Sequence, residues 1–463
     1  MPAQIATLIC IFGIVGLFAL DFDRDVRTSK GLWLPVVWVW ILGSREVSIW
    51  LATFGLAQAR TRSASSVLDG NPLDRNLYTI LLILGVIVLV RRGQVGPLLR
   101  ANGPILLFFA YCLASTLWSD YPEVSFKRWI KAMGDLVMVM ILLTDPDRLA
   151  AIKRFLKRTS FLLVPFSVLL IKYYPNLGQG FDRLGWTGKQ TFFGVTNDKN
   201  ALGTNCLLFG LGCLWCFLAA YRDRQAAGRT RHLIVHGTLL MMVMWLFSKA
   251  NSMTSLLCFI MTSGLIVATS FPGLARKRAV VHILMVTVLV APAVPLLLDT
   301  GTGLLAVVGR DATLTGRTEI WKEALAIDTK PISGAGFESF WLAAPLDGPW
   351  TGRSFPVTEA HNGYIEVYLN LGWLGEFLLA VVIVTGYRNI VGLLGRDLEA
   401  GKLLLAYFAV GLIYSYTEAG FRMMNVVWIF FLLAAVAVPI LRGSKAEKSF
   451  PEWQMAEAGV SRI

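Results

Sequence analysis

Long apolar runs alternate with short polar ones from end to end of this chain. Runs such as Leu202–Ala220, Ala279–Leu298 and Met424–Leu441 come close to the roughly 20 residues that carry a helix across a bilayer. Strands would need a period of two and much shorter runs. Taken in order, the runs predict helices near residues 3–20, 31–43, 75–90, 104–118, 129–144, 159–174, 200–220, 232–248, 253–270, 279–298, 362–386, 402–416 and 424–441. The expected fold class is all-α: a polytopic integral membrane protein of about 12–13 transmembrane helices. The second span is short and residues 44–57 are semi-apolar, so the two together read as a longer tilted or re-entrant element. The first run has no basic residue before it and no small-x-small site after it, which marks a retained helix and not a signal peptide.

Composition agrees, since 55% of residues are hydrophobic and only 16% charged, beyond the roughly 45–50% apolar usage of soluble domains. Lys and Arg then set the orientation, because basic loops stay in the cytoplasm. Loops 21–30, 91–103, 145–158, 221–231, 271–278 and 387–401 and the tail 442–463 hold 24 basic residues. The opposite loops (44–76, 119–128, 175–199, 249–252, 299–361 and 417–423) hold 16, together with 16 acidic residues. The tail is expected inside, the amino terminus outside, and the largest polar loop away from the cytoplasm. The net charge of +13 belongs to the cytoplasmic face, where its partner is the lipid bilayer and not nucleic acid. All six cysteines lie in apolar runs, so no disulfide framework is implied, and Cys213 and Cys216 read as helix packing. The expected organisation is one membrane domain over 1–463, with the polar loop at 299–361, most motifs within 200–386, and a cytoplasmic tail at 442–463.

Polar groups inside spans are costly, so the outer loops and the few intramembrane charges are the places to look for chemistry. Lys131 and Asp135 lie four apart on one helix and are expected to neutralise each other. Glu366 and Glu376, on either side of Gly372 and Gly375, are expected to be solvated at a helix end. The large loop has its own amphipathic helix from Glu319 to Ile327, capped by Thr318. A tight turn, Pro331–Gly336, follows. The loop then runs through aromatic residues to Trp341 and closes on Glu359-Ala-His-Asn-Gly-Tyr364. Of the four histidines, only His361 lies outside a span or its cytoplasmic margin. Glu359 and Asn362 are its neighbours, and Arg317, Lys199 and Arg183 share its face.

Four stretches resemble the O-antigen ligase and O-antigen polymerase superfamily, exopolysaccharide-production polymerases included. They are Trp118–Arg128, Thr196–Gly203, Gly316–Trp321 with Pro331 and Gly334–Gly336, and His361–Tyr364 with Leu371–Gly375. They occur in order across roughly residues 100 to 430. The resemblance implies a GT-C-like membrane architecture in the bacterial inner membrane. It implies metal-independent, inverting transfer of a glycan on the periplasmic face, with no cofactor. The donor would be an undecaprenyl-diphosphate-linked oligosaccharide and the acceptor another glycan or lipid A core, alongside other polysaccharide-assembly membrane proteins. His361 resembles the family's essential histidine and Arg317 its large-loop arginine. Where the family carries a further arginine this chain has Met253, so Lys249 is expected to replace it.

Chemistry gives these residues their roles. Transfer needs a proton acceptor for the incoming hydroxyl, expected to be His361, and fixed cations for charge growing on the leaving diphosphate. Arginine suits the latter because its planar fork grips phosphate oxygens in pairs. Arg317, Lys249, Lys199, Asn200 and Arg183 are the expected donor-binding residues. Asn362, Glu359 and Tyr364 are the supporting ones, and Trp341, Trp350 and Tyr364 are candidates to stack on sugars. Two other readings exist. A metal-dependent glycosyltransferase would use Asp21 and Asp23 as an Asp-x-Asp pair, although the charge pattern puts them in a solvated cytoplasmic loop. A small-anion transporter would show inverted repeats with broken helices, and no repeat is visible.

Overall fold

The computed structural model describes residues 1–21, 28–56, 70–93, 95–181, 190–225, 228–297, 317–327, 330–342 and 358–437. The expected tail 442–463, Arg183, Trp350, Asp23 and most of the loop 299–361 lie outside the described residues.

Each of the expected spans has a helical counterpart. In order these are α1 (Ala3–Leu20), the pair α2 (Trp33–Leu42) and α3 (Val47–Thr53), α4 (Pro72–Arg92), and the pair α5 (Val95–Ala101) and α6 (Gly103–Ser115). They continue with α7 (Pro122–Leu143), α8 (Arg148–Tyr173), α9 (Lys199–Arg222), α10 (Arg229–Ala250), α11 (Met253–Thr269) and α12 (Arg278–Leu297). After α13 (Arg317–Ala326) within the large loop come α14 (Gly363–Leu394), α15 (Leu398–Tyr414) and α16 (Val426–Ala435). Among the described residues, α1, α4, α9, α10 and α14 are each long and apolar enough to cross a bilayer alone. The α2–α3 pair bends by 60°, where a longer tilted or re-entrant element is expected from the second span together with residues 44–57. The α5–α6 pair bends by 87°, a break that the unbroken hydropathy from 104 onward conceals.

Burial grades from the centre outward. Every residue of α15 from Gly401 to Tyr414 is buried, and it packs among the fully enclosed Trp215 and Phe430. At the edge, α1 buries only Ala6 and exposes Leu8, Ile9 and Phe12, while α4 exposes Ile80, Ile83 and Val90. Apolar surface of that extent is covered by lipid in a membrane protein and would aggregate in water. The chain is a multi-pass membrane protein.

The two loop sets predicted from charge gather on two opposite faces. On the basic face, Ser29 and Arg92 both bond Asp145, Lys157 pairs with Asp21, and Arg222 donates to the Ser270 carbonyl. On the other, Arg45 donates to the Thr196 carbonyl at 3.1 Å, Thr254 meets Thr417 at 3.1 Å and Arg128 donates to the Glu338 carbonyl. Thr7 bonds the hydroxyl of Tyr174 at 2.7 Å, which puts the amino end of α1 on this second face.

Several expectations give way. Asp135 is not paired with Lys131: its carboxylate accepts from Trp38 Nε1 at 2.9 Å and from the Met424 backbone at 2.8 Å. Gly134 leaves room for the Trp38 ring directly against the helix, which brings the indole within reach. Glu366 is not solvated either, because it is buried and accepts from Trp341 Nε1 at 2.8 Å and from Ala360 N. Thr318 does not cap α13, which already begins at Arg317. A small antiparallel pair, Gln179–Phe181 with Gln190–Phe192, stands in the loop 175–199. Helices also run further on the basic face than hydropathy suggests, α8 starting at Arg148 and α14 ending at Leu394. Long basic side chains lie along a helix end with their heads in water, so charge there does not end the helix.

Candidate active site

Three of the four family-like stretches meet around one turn of backbone. Gly334 and Gly336 have φ of 69° and 100° and Gly372 has φ of 65°, a region that side chains with Cβ enter at a cost. At Gly334 and Gly372 a Cβ would also strike the other segment's backbone. Glycine therefore allows the turn Pro331–Gly336 to lie against the break in α14. Ala335 N donates to Leu369 O at 3.0 Å, Gly336 N to Asn370 O at 2.8 Å and Trp373 N to Pro331 O at 2.9 Å. The Trp118–Arg128 stretch grips the other side of this turn. Ser119 meets Ser339 at 2.8 Å, Ser125 donates to Phe337 O at 2.6 Å and Arg128 to Glu338 O.

His361 stands directly before α14. Asn362 caps that helix, accepting from Tyr364 N at 3.0 Å and Ile365 N at 3.1 Å, and ties back to Tyr416 O at 3.1 Å. Ala360 is pinned on both sides, its carbonyl by Trp321 Nε1 at 2.7 Å and its N–H by Glu366. Between these two fixed residues His361 adopts φ of 50°, a strained conformation for a residue with Cβ and one that surrounding contacts must impose.

The ring enters a chain of ion pairs. Its Nδ1 lies 2.9 Å from Glu359 Oε1 and 3.4 Å from Glu418 Oε2, so this nitrogen carries a proton. Glu418 Oε1 pairs with Arg317 at 2.7 Å, and Arg317 also donates to Thr417 O. On the far side Arg422 joins Glu359 at 3.4 Å and Glu338 at 3.1 Å. Three carboxylates thus face the guanidiniums of Arg128, Arg317 and Arg422, and the imidazolium leaves the cluster one positive charge. Burial works against protonating His361, but its bonds to Glu359 and Glu418 prevail and raise its pKa to about 9. Burial likewise opposes charge on Glu359, yet His361 and the nearby arginines hold it down to about 2.

Of the expected residues, the structure brings together His361, Glu359, Asn362 and Arg317. The amino end of α9 reaches the same neighbourhood: Asp198, which caps it through Asn200 N and Ala201 N, feels the charges of Glu359 and Glu418, and its carboxyl is raised chiefly by burial. Lys199 and Asn200 follow Asp198 in the first turn of that helix. Lys249 does not join it, lying instead over the rings of Phe192 and Trp245 at 5.4 and 5.6 Å. Tyr364 supports from below, its hydroxyl on Leu412 O at 3.2 Å and its ring edge-on to Phe421. It offers no face to a sugar. Neither does Trp341, which is buried and bonded to Glu366. Sequence reasoning missed Glu418, Arg422 and Glu338. The first two share the short outer loop 417–423, where the only signal was an acid and an arginine four residues apart.

Residues 229–380 match the family model described as O-antigen ligase (Wzy_C), which covers α10 to the middle of α14 and the third and fourth stretches. The chain is also similar to the exopolysaccharide production protein ExoQ of Rhizobium meliloti (strain 1021). The two are 25% identical over 328 residues, 66% of this chain and 69% of the relative. The family that the four stretches resemble is the one found over residues 229–380, and the chain is a polytopic membrane protein with a region similar to the O-antigen ligase family.

Proposed function

We propose that this protein transfers a glycan from an undecaprenyl-diphosphate-linked donor to an acceptor hydroxyl, on the periplasmic face of a bacterial inner membrane. The face follows from retaining basic loops inside, which puts the His361 cluster outside. The carrying observation is the geometry of His361: a strained backbone fixed on both sides, Nδ1 engaged by two carboxylates, and arginines at either end of the ion-pair chain. In the neutral form of the ring, a minority below its pKa of about 9, Nε2 is left to take the acceptor proton. As the acceptor oxygen bonds the anomeric carbon, the bond from that carbon to the diphosphate oxygen breaks. The proton passes to Nε2, and charge gathers on the lipid diphosphate. Arg317 and Arg422 are placed to stabilise it, each releasing part of its hold on a carboxylate as the donor arrives. Lys199 and Asn200, at the amino end of α9, border the donor side. Residues 1–463 form one membrane domain in this reading.

Polymerisation of an exopolysaccharide is the reading we favour, on the likeness to the exopolysaccharide production protein. Ligation to lipid A core is the second, on the description of the matched family. Purified protein with lipid-linked oligosaccharide donor in EDTA tests the proposal. Wild type should make product, longer glycans for a polymerase or glycosylated lipid A core for a ligase. His361→Ala should lose about 100-fold to 10,000-fold in rate with unchanged membrane abundance. A rate within a few-fold of wild type would make the histidine structural.

A further inference from the structure

We propose a second site on the basic face, opposite the His361 cluster: Asp21, His232 and His236 form a binding site for a divalent transition metal of the zinc class. His232 and His236 are four apart on α10, so both imidazoles project from one side of the helix, the spacing by which helical histidine pairs hold zinc. Asp21 comes from the end of α1. Its Oδ1 lies 3.0 Å from His232 Nδ1 and 3.9 Å from His236 Nε2, and the three ligating atoms all fall within 4.8 Å of one another. Tetrahedral ligands about 2.0–2.2 Å from a zinc ion stand roughly 3.4 Å apart, so the Asp21–His232 pair would open and the Asp21–His236 pair would close by about half an ångström each, within reach of small side-chain rotations. Two imidazoles and a carboxylate are a donor set that suits zinc, cobalt or nickel and leaves a position for water.

His236 is almost fully enclosed, and the nitrogen it turns toward Asp21 is Nε2, which in the neutral ring can present a lone pair to a cation. Lys157 also pairs with Asp21 Oδ1, at 2.8 Å, and Lys153 adds further positive charge near His236. Both limit affinity for a dication, and Lys157 can remain on the carboxylate beside the metal. The consequence is structural. α1 is otherwise held to the bundle by a largely lipid-exposed surface, and a metal here would fasten it to α10 on the side away from glycan transfer.

The test uses the full-length chain, purified through a tag without histidine, stripped with EDTA and titrated with ZnCl2 or CoCl2 alone. Wild type should bind one equivalent of zinc with a rise in Tm, and cobalt should give the intense visible bands of a four-coordinate ion. His236→Gln and Asp21→Asn should each weaken binding at least tenfold. His361→Ala, which disrupts the other group of possible ligands, should leave it unchanged. The cobalt spectrum of wild type needs no variant, so a variant that fails to insert does not decide the matter. Absence of stoichiometric zinc binding in wild type, or loss of binding in His361→Ala with retention in His236→Gln, would overturn the site.

Discussion

Because His361 holds its proton up to about pH 9, about one molecule in a hundred carries the neutral ring near pH 7. If that ring takes the acceptor proton, the rate of transfer should climb close to tenfold per pH unit from 6 to 8 and level off near 9. Glu359 is ionised throughout this window, so the profile reports the histidine. Glu359→Gln removes a charge 2.9 Å from Nδ1 and keeps an acceptor there. The ring then titrates lower, so the bend in the profile should move down by a unit or more, while the plateau falls because a weaker base takes the proton less readily. Initial rates from pH 6 to 9.5, with saturating lipid-linked donor and EDTA, make the comparison. Stability should run the other way. A histidine whose folded pKa exceeds its free value of about 6.5 stabilises the fold fully below that value, and the contribution is lost as pH rises through 9. Tm should therefore fall over the range in which activity rises, and His361→Gln should flatten that fall. A wild-type rate that stays level or drops between pH 6 and 9 refutes the base assignment and leaves His361 as a cation for the leaving diphosphate.

Arg317→Lys keeps charge but cannot hold both Thr417 O and Glu418, so activity should fall at least tenfold with normal insertion; near-normal product from Arg317→Ala would place the donor grip elsewhere. Arg422→Gln leaves Glu338 and Glu359 without their shared cation and should lower both Tm and rate, whereas an unchanged rate would remove Arg422 from the donor site. Gly334→Ala forces Cβ into the Asn370 backbone at positive φ, which should cost on the order of 1–3 kcal/mol and appear as a lower Tm. Cysteines placed at Gln179 should react with an impermeant reagent from outside and those at Gly228 or Gly273 should not; labelling of Gly228 would reverse the orientation.

What the sequence makes legible follows from how local each signal is. The sorting of loops into two faces was readable because it rests on charge summed over whole loops, so an error of several residues at each helix end leaves it intact. The turn at Pro331–Gly336 was readable because glycine adopts the φ values found there at the least cost. The partner of that turn, the broken helix at Gly372, needed the structure, since nothing in spacing says that two glycine-rich segments press their backbones together. The same limit governs the site. Glu359 is legible beside His361 because only Ala360 separates them, whereas Glu418 reaches the same nitrogen from 57 residues away.

Helix ends carry the other shortfall. Asp135 and Lys131 are correctly spaced to pair on one helix, but a surface pair across four residues gains only a few tenths of a kcal/mol. Inside a bundle, a buried carboxylate gains more from two fixed donors, and Trp38 with the Met424 backbone supplies them. Glu366 follows the same rule, fixed by Trp341 and Ala360. Both acids brace the outer-face site by polar bonds through its walls: Glu366 holds the residue before His361, and Asp135 holds the end of the loop that carries Glu418 and Arg422. The acids that looked like isolated intramembrane charges are what fixes the two loops on which the proposed chemistry depends.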